Sequence, residues 1–450
     1  MALSPELEAD LKKLAFTVEM AEGEFRLVFA HCNYVLLQQQ LADRLEELTG
    51  IVTLRLQPGE RTLAEVLELL RRRGGSLPPG VQVLGMERMG DLPGGLAKLD
   101  QTRDQLQTQF PLPIVVWVND DLQTAWKRYA PNLESWGAPK EFELDDETVA
   151  ELIALKTKQL MERGWRLSTG EAEFLKLELA KAWARLEGKP LKDKTRAQLE
   201  ALRGLTAEQL GDWLFGDPDF KHYQYALAYE GVWSTVESAL LRRNSAWCGL
   251  RSGLAPEPAE IGSWIDGAQA GLMNSEHWQE SLPGLALTAW KLRDWARLQG
   301  LVAGETSPVA LTYQALLAWG QQRSEQTALA LIEQAQAQWP EDGRPVERLL
   351  LIQLGGEIRA EQEDWQGLVN WLETAMEPLM ALWTAPEPAF ELPGALQPKQ
   401  TAKDLFLGIL EHCRETYFER LRDYRTAFTY SQTLTRVKKQ MGDYAFIGAG

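Results

Sequence analysis

The chain changes its hydrophobic rhythm once, near Asp145, and no other feature constrains its fold as much. Before that point short β-branched runs alternate with helical stretches; after it such runs vanish and Leu/Ala/Glu/Gln-rich helical periodicity takes over. Ser4-Pro5-Glu6 supplies a cap and a first turn for a helix running to about Glu22. Phe25–Ala30 (FRLVFA) predicts a strand, Tyr34–Leu48 a helix, Ile51–Leu56 (IVTLRL) a second strand and Thr62–Arg73 a helix, closed by Pro78-Pro79-Gly80. Val81–Met86 (VQVLGM) predicts a third strand, and Pro93–Thr108 a turn with a polar helix. Ile114–Val118 (IVVWV) is the fourth and most apolar strand, followed by an aromatic helix around Trp126 and Tyr129. Lys140–Leu144 adds a short last strand. Strands alternating with helices predict a mostly parallel sheet covered on both faces. The expected fold class is therefore α/β over residues 1–145, then all-α.

The remainder divides, on this reading, into an aromatic-rich helical domain over 146–300, helical repeats over 301–442 and a tail over 443–450. Lys189–Arg196 is a basic patch read as an exposed loop and helix end. Trp213, Trp233, Trp247, Trp264, Trp278, Trp290 and Trp295 are expected between helices, where large rings contribute most to a core. Thr384–Lys399 is Pro-rich and reads as a surface loop between helix pairs.

Composition removes several function classes. With 45% hydrophobic and 25% charged residues over 450 positions, the chain is expected to fold into more than one domain. A net charge of -17 is the wrong sign for neutralising phosphates, so nucleic acid is not the expected partner. Three cysteines, Cys32, Cys248 and Cys413, are odd in number and far apart, which predicts no disulfide framework and a reducing, cytoplasmic setting. His31-Cys32 and His412-Cys413 are neighbours without further ligands at zinc spacing, so no metal site is predicted. No apolar run is long enough to cross a membrane, and the N-terminus lacks a secretory apolar core.

The turn after the first strand carries the main chemical message. A phosphate loop needs glycines for close backbone approach, a lysine for the phosphates and a hydroxyl for magnesium. Ala30-His31-Cys32-Asn33-Tyr34-Val35 has none of these, and no Gly-x-x-x-x-Gly-Lys-Ser/Thr or Gly-x-Gly-x-x-Gly occurs elsewhere; Gly74-Gly75 and Gly94-Gly95 read as turns. Two strand ends are polar: Asn119-Asp120-Asp121 after the fourth strand, and Glu87-Arg88 after the third. Asp120 there reads as the cap of the next helix. No catalytic, cofactor-binding or metal residue is assigned.

These segments resemble known architectures. Phe25–Leu48, Leu99–Leu106 and Leu112–Leu144 together resemble the P-loop-derived domains of bacterial signalling proteins of the STAND class, over about residues 15–145. In the last third, Asp364-Trp365, and Asp423-Tyr424 with Ala427, resemble the entry to the second helix of tetratricopeptide (TPR) repeats, while the Trp-x-x-Leu-Gly of the first helix is missing. Tyr444–Gly450 resembles the lead-in to a STAND ATPase core. The resemblance implies a degenerate α/β domain joined to a helical solenoid. The implied role is a non-catalytic scaffold or sensor that binds protein partners, with homo-oligomerisation left open. A second reading stays open beside it: a nucleotide-responsive switch holding ATP or GTP weakly through Asn33, Glu87 or Asp120.

Overall fold

The computed structural model describes residues 3–56, 77–89, 91–142, 144–167, 169–211, 214–252, 256–339, 345–372 and 399–440. The expected helix at Thr62–Arg73, the pair Gly74-Gly75, Trp213, the Pro-rich stretch up to Pro398 and the segment Tyr444–Gly450 lie outside them. The chain groups into two compact units, one of Met1–Lys158 with Glu173–Thr195, the other of Gln159–Ala172 with Arg196–Gly450.

In the first unit α1 (Pro5–Glu19) starts as its sequence dictates, with Ser4 Oγ accepting from Leu7 N at 3.3 Å and Leu7, Leu11, Leu14 and Val18 buried along one stripe. Five strands follow: β1 (Arg26–His31), β2 (Val52–Arg55), β3 (Val81–Leu84), β4 (Pro113–Val118) and β5 (Ala138–Glu141). They pair in parallel in the order β2-β3-β4-β1-β5. The helices between them are α2 (Val35–Thr49), α3 (Leu92–Gln101), α4 (Arg103–Gln109), α5 (Asp120–Tyr129) and α6 (Pro131–Glu134). The region read as one polar helix is thus two, α3 and α4, broken at Thr102. The last strand lies slightly earlier than Lys140–Leu144.

Strand order and handedness decide which face each helix covers. The chain leaves β1 for the far edge at β2, then works back through β3 and β4 and crosses β1 to reach β5. Right-handed crossovers put α2 on one face and the later helices on the other. The packing agrees. Leu27, Phe29, Val81, Val83, Ile114, Val116 and Val118 form one core with Leu96, Leu99, Leu106, Leu122, Trp126 and Leu133 of α3 to α6. On the opposite face buried Gln82 donates to Ala42 O of α2 at 2.7 Å and accepts from Trp117 Nε1 at 2.9 Å. β4 is buried at every position, which explains why it reads as a continuous apolar run.

The rest is helical: α7 (Asp146–Glu162), α8 (Thr169–Leu186), α9 (Asp193–Leu210) and α10 (Asp219–Leu227), then α11 (Thr235–Arg251), α12 (Pro258–Leu272), α13 (Trp278–Lys291), α14 (Trp295–Val302), α15 (Pro308–Gly320), α16 (Glu325–Ala337), α17 (Pro345–Glu361), α18 (365–372), α19 (Lys399–Glu415) and α20 (Tyr424–Gln440). A π-helical segment, Thr416–Arg420, extends α19. Lys189–Lys192 form an exposed stretch leading into α9. Trp247, Trp264 and Trp278 are buried, whereas Trp233, Trp290 and Trp295 are half-buried.

From α11 onward the helices follow one packing rule. Each odd helix packs on the even helix after it (α11 on α12, α13 on α14, α15 on α16, α19 on α20) and on the next odd one (α11 on α13, α13 on α15, α15 on α17, α17 on α19). Trp371 of α18 completes the series by donating to Ile352 O of α17 at 2.9 Å. The turns inside the later pairs share a device. Arg293, Arg323, Glu363 and Arg422 each adopt left-handed backbone, with φ of 56, 52, 55 and 53°. The next residue's N–H reaches back to a carbonyl of the preceding helix at 2.9 Å: Asp294 to Ala289, Ser324 to Ala318, Asp364 to Arg359 and Asp423 to Tyr417. This is the αL stop of a helix fused to the cap of the next one. The aspartates then accept from Arg297, Gly367 and Thr426 N–H at 3.2, 2.9 and 3.1 Å.

Candidate functional site

In an open parallel sheet ligands bind beyond the carboxyl ends of adjacent strands whose outgoing connections diverge to opposite faces. Here those strands are β1, followed by α2, and β4, followed by α5. Three residues leave β1 at this point, His31, Cys32 and Asn33, and two leave β4, Asn119 and Asp120. The structure brings Asn33 and Asp120 together; Glu87 sits on the turn Met86–Arg88 after β3.

The two strand ends are tied to each other. Asp120 N donates to Asn33 Oδ1 at 3.0 Å, and Asn33 Nδ2 returns a bond to Asp120 Oδ1 at 3.3 Å. His31 Nε2 donates to the same oxygen at 2.8 Å, and Lys181 of α8 forms an ion pair with the other. Partial burial pulls the Asp120 carboxyl upward, but the bonds from Lys181, Asn33 and His31 outweigh it and hold the group below the usual carboxylate range. Asp120 is not the helix cap expected from the sequence. Asn119 is the cap, accepting from Leu122 N at 2.8 Å, because it is the last extended residue before the turn, while Asp120 already sits in the helix.

The first turn of α2 is closed as well. Tyr34 at its cap gives no side-chain bond, and Val35 N, the first helical N–H, donates to Glu178 Oε1 of α8 at 2.8 Å. A helix start behind β1 is where a phosphate group would be cradled; a buried carboxylate stands there. Burial pushes the Glu178 carboxyl up, countered by Lys156 and by the Val35 N–H. Gln38 Nε2 donates to Cys32 O at 2.6 Å, completing the local polar pairing.

The chemistry this arrangement offers is narrow. Burial pushes the Cys32 thiol up to about 12, so it stays protonated and is a poor nucleophile. Lys181, the lysine drawn to the strand ends, is held by Asp120. Cys248 and Cys413 are buried free thiols too, and burial raises both, Cys413 to about 12. Among the described residues no group of three or more His, Cys, Asp or Glu side chains could hold a metal ion, and no helix is long and apolar enough to cross a membrane.

A second concentration of buried polarity lies in the helical unit. Arg243, fully buried in α11, donates to Gly164 O at 2.9 Å, Ser281 Oγ at 3.0 Å and Asn244 Oδ1 at 2.8 Å. Asn244 in turn donates to Glu208 Oε2 at 2.9 Å, which also accepts from Tyr223 OH at 2.6 Å. Burial lowers the Arg243 guanidinium to about 9, and burial raises the Glu208 carboxyl. The groups satisfy one another and join α9, α10, α11 and α13, which is the work of a structural network.

No protein-family model matches the chain, and no curated protein sequence matches it. Glu178 and Lys181 carry no mark in the sequence, and Asn119 is marked there only as part of a polar strand end, with the cap assigned to Asp120. Asn119 had a local signal, an Asn directly before a helical run. Glu178 and Lys181 had none, since both meet their partners only through folding.

Proposed function

We propose that the chain is a non-catalytic protein-interaction scaffold or sensor module. Its α/β unit is a P-loop-like fold without a phosphate loop, and its helical arm binds protein partners. The observation that carries this reading is the Glu178 carboxylate on Val35 N: the fold's natural anion position is filled by the chain itself. The Asn33–Asp120–His31 tie supports it, because side chains that could have met a ligand bond to each other. The four later helix pairs, each with an αL residue, three of them with an aspartate cap followed by Trp or Tyr, support a TPR-like solenoid, whose stacked units offer a continuous binding surface. Membership of a bacterial STAND-like signalling system rests on sequence resemblance, and a cytoplasmic location on the three buried free cysteines.

Thermal denaturation with millimolar ATP or GTP and Mg²⁺ tests the proposal. A nucleotide at 100 times its dissociation constant stabilises by about 2.7 kcal/mol, a plainly visible rise in Tm. No shift is expected. A saturable shift abolished by Asp120→Asn would replace the scaffold by the nucleotide-responsive switch.

A further inference from the structure

The turn that follows α7 differs from the hairpin turns of the arm. Gly164, with φ of 72°, stops the helix by the same device, and the next N–H, that of Trp165, reaches back to Leu160 O at 2.7 Å. The chain then adds a second left-handed residue, Trp165 itself with φ of 56°, which the helix stop does not need. Left-handed backbone at a bulky residue is strained. The indole is completely buried, yet its Nε1–H meets no acceptor among the described residues. An orphaned buried donor is a second built-in cost.

Two successive first helices of the arm, α11 and α13, pack on each other and hold this turn. Arg243 of α11 donates through Nη2 to Gly164 O at 2.9 Å and to Trp165 O at 3.4 Å, and through Nη1 to Ser281 Oγ of α13. Arg166 donates to Glu280 O of α13 at 3.2 Å and pairs with Glu280 Oε2 at 3.3 Å. A Cβ on Gly164 would come within 3.2 Å of His277 Nδ1, so the main chain lies close against the residue before α13. The seat also brings two guanidinium groups together: burial, and then the neighbouring Arg166, pull Arg243 down to about 9.

We propose that this seat is a peptide socket of the arm, and that Gly164-Trp165-Arg166 fills it as an internal, displaceable occupant. The partner it fits is a protein segment that carries an aromatic residue followed by an arginine on a turn. Two carbonyls on a fixed guanidinium, a ring in a closed pocket and an arginine on a carboxylate are contacts that such a segment makes equally well. It makes them without the left-handed tryptophan that the chain's own connection imposes. Strain and the unbonded indole leave the internal occupant weaker than its contacts alone, which is the condition for exchange.

The inference rests on the scaffold reading of the arm, and its test is separable. A labelled peptide of residues 160–167 is titrated with the full 450-residue chain and followed by fluorescence anisotropy. A copy with alanine at the tryptophan and second arginine positions serves as control. The native chain should bind the peptide weakly, and Trp165→Ala about tenfold or more tightly, because the open fraction of the socket sets the apparent affinity. The control peptide should bind neither. Hydrogen exchange reads the same event in the native chain, whether or not the variant folds. The Gly164 and Trp165 N–H groups, bonded to Met161 O and Leu160 O, should exchange about tenfold or more faster than the core amides of α13, and faster still under excess peptide. Equal affinity of the native chain and a folded Trp165→Ala, no peptide binding, or turn amides that exchange only as α13 does overturns the inference and makes the turn a fixed part of the core. A nucleotide-induced thermal shift, by contrast, defeats the scaffold reading and leaves the peptide result standing.

Discussion

Two carboxylates, Glu178 and Asp120, close the crevice with opposite pH signatures. Glu178 has its carboxyl raised by burial, so the folded chain holds that proton more tightly than the unfolded one. Its contribution is fully present below the ordinary glutamate value and is lost as pH rises through the raised one. Asp120 is held low, so its contribution is present above the ordinary aspartate value and is lost as pH falls through the depressed one. Urea titrations across pH should show Glu178→Gln, an isostere of the protonated acid, matching the native chain at acid pH and losing less stability than it as pH rises, and Asp120→Asn removing stability chiefly at neutral pH. Glu178→Ala should cost about 1–3 kcal/mol by stranding the Val35 N–H, and sulfate or phosphate should restore part of it. If anions stabilise the variant no more than the native chain, the carboxylate is not standing at an anion position. In the helical unit, Arg243→Ala leaves Gly164 O, Ser281 and Asn244 without their donor and should cost about 3–5 kcal/mol in equilibrium unfolding.

At the scale of elements the hairpin turn is the repeated unit. Non-glycine residues in left-handed backbone cost about 1–2 kcal/mol, partly recovered by the bonds the turn makes. Glu363→Gly should therefore raise stability by about 0.5–1 kcal/mol, whereas Asp364→Ala should lower it by about 1 kcal/mol through loss of the cap on Gly367. Urea unfolding midpoints of the two variants check both signs. The aspartate-aromatic pairs at 364–365 and 423–424 were legible because a cap is a local signal. Arg293-Asp294-Trp295 belongs to the same series but lies in the stretch read as the aromatic-rich domain, and Arg323-Ser324, inside the stretch read as repeats, lacks the aspartate-aromatic pair because Ser324 is followed by a glutamate.

For the whole molecule, excess negative charge acts over distances that single contacts do not. A cationic protein partner should associate faster with this chain at low salt, and stopped-flow association rates should fall as ionic strength rises and the Debye length shrinks. A rate independent of salt would mean that apolar contact alone selects the partner.

The sequence by itself determined the alternation of strands and helices, the all-helical remainder, and the absence of glycine, lysine and a phosphate-loop hydroxyl from the turn after β1. Those are properties of neighbouring residues, expressed through periodicity and turn chemistry. Only the tertiary structure decided that β1 lies between β4 and β5, that Asp120 meets His31 from 89 residues away, and that Glu178 meets Val35 from 143 residues away. Such contacts depend on which faces pack and which crossovers the chain takes, and no local pattern encodes them. So the missing glycine, lysine and hydroxyl could be read from the residues alone, but not the carboxylate that meets the Val35 N–H.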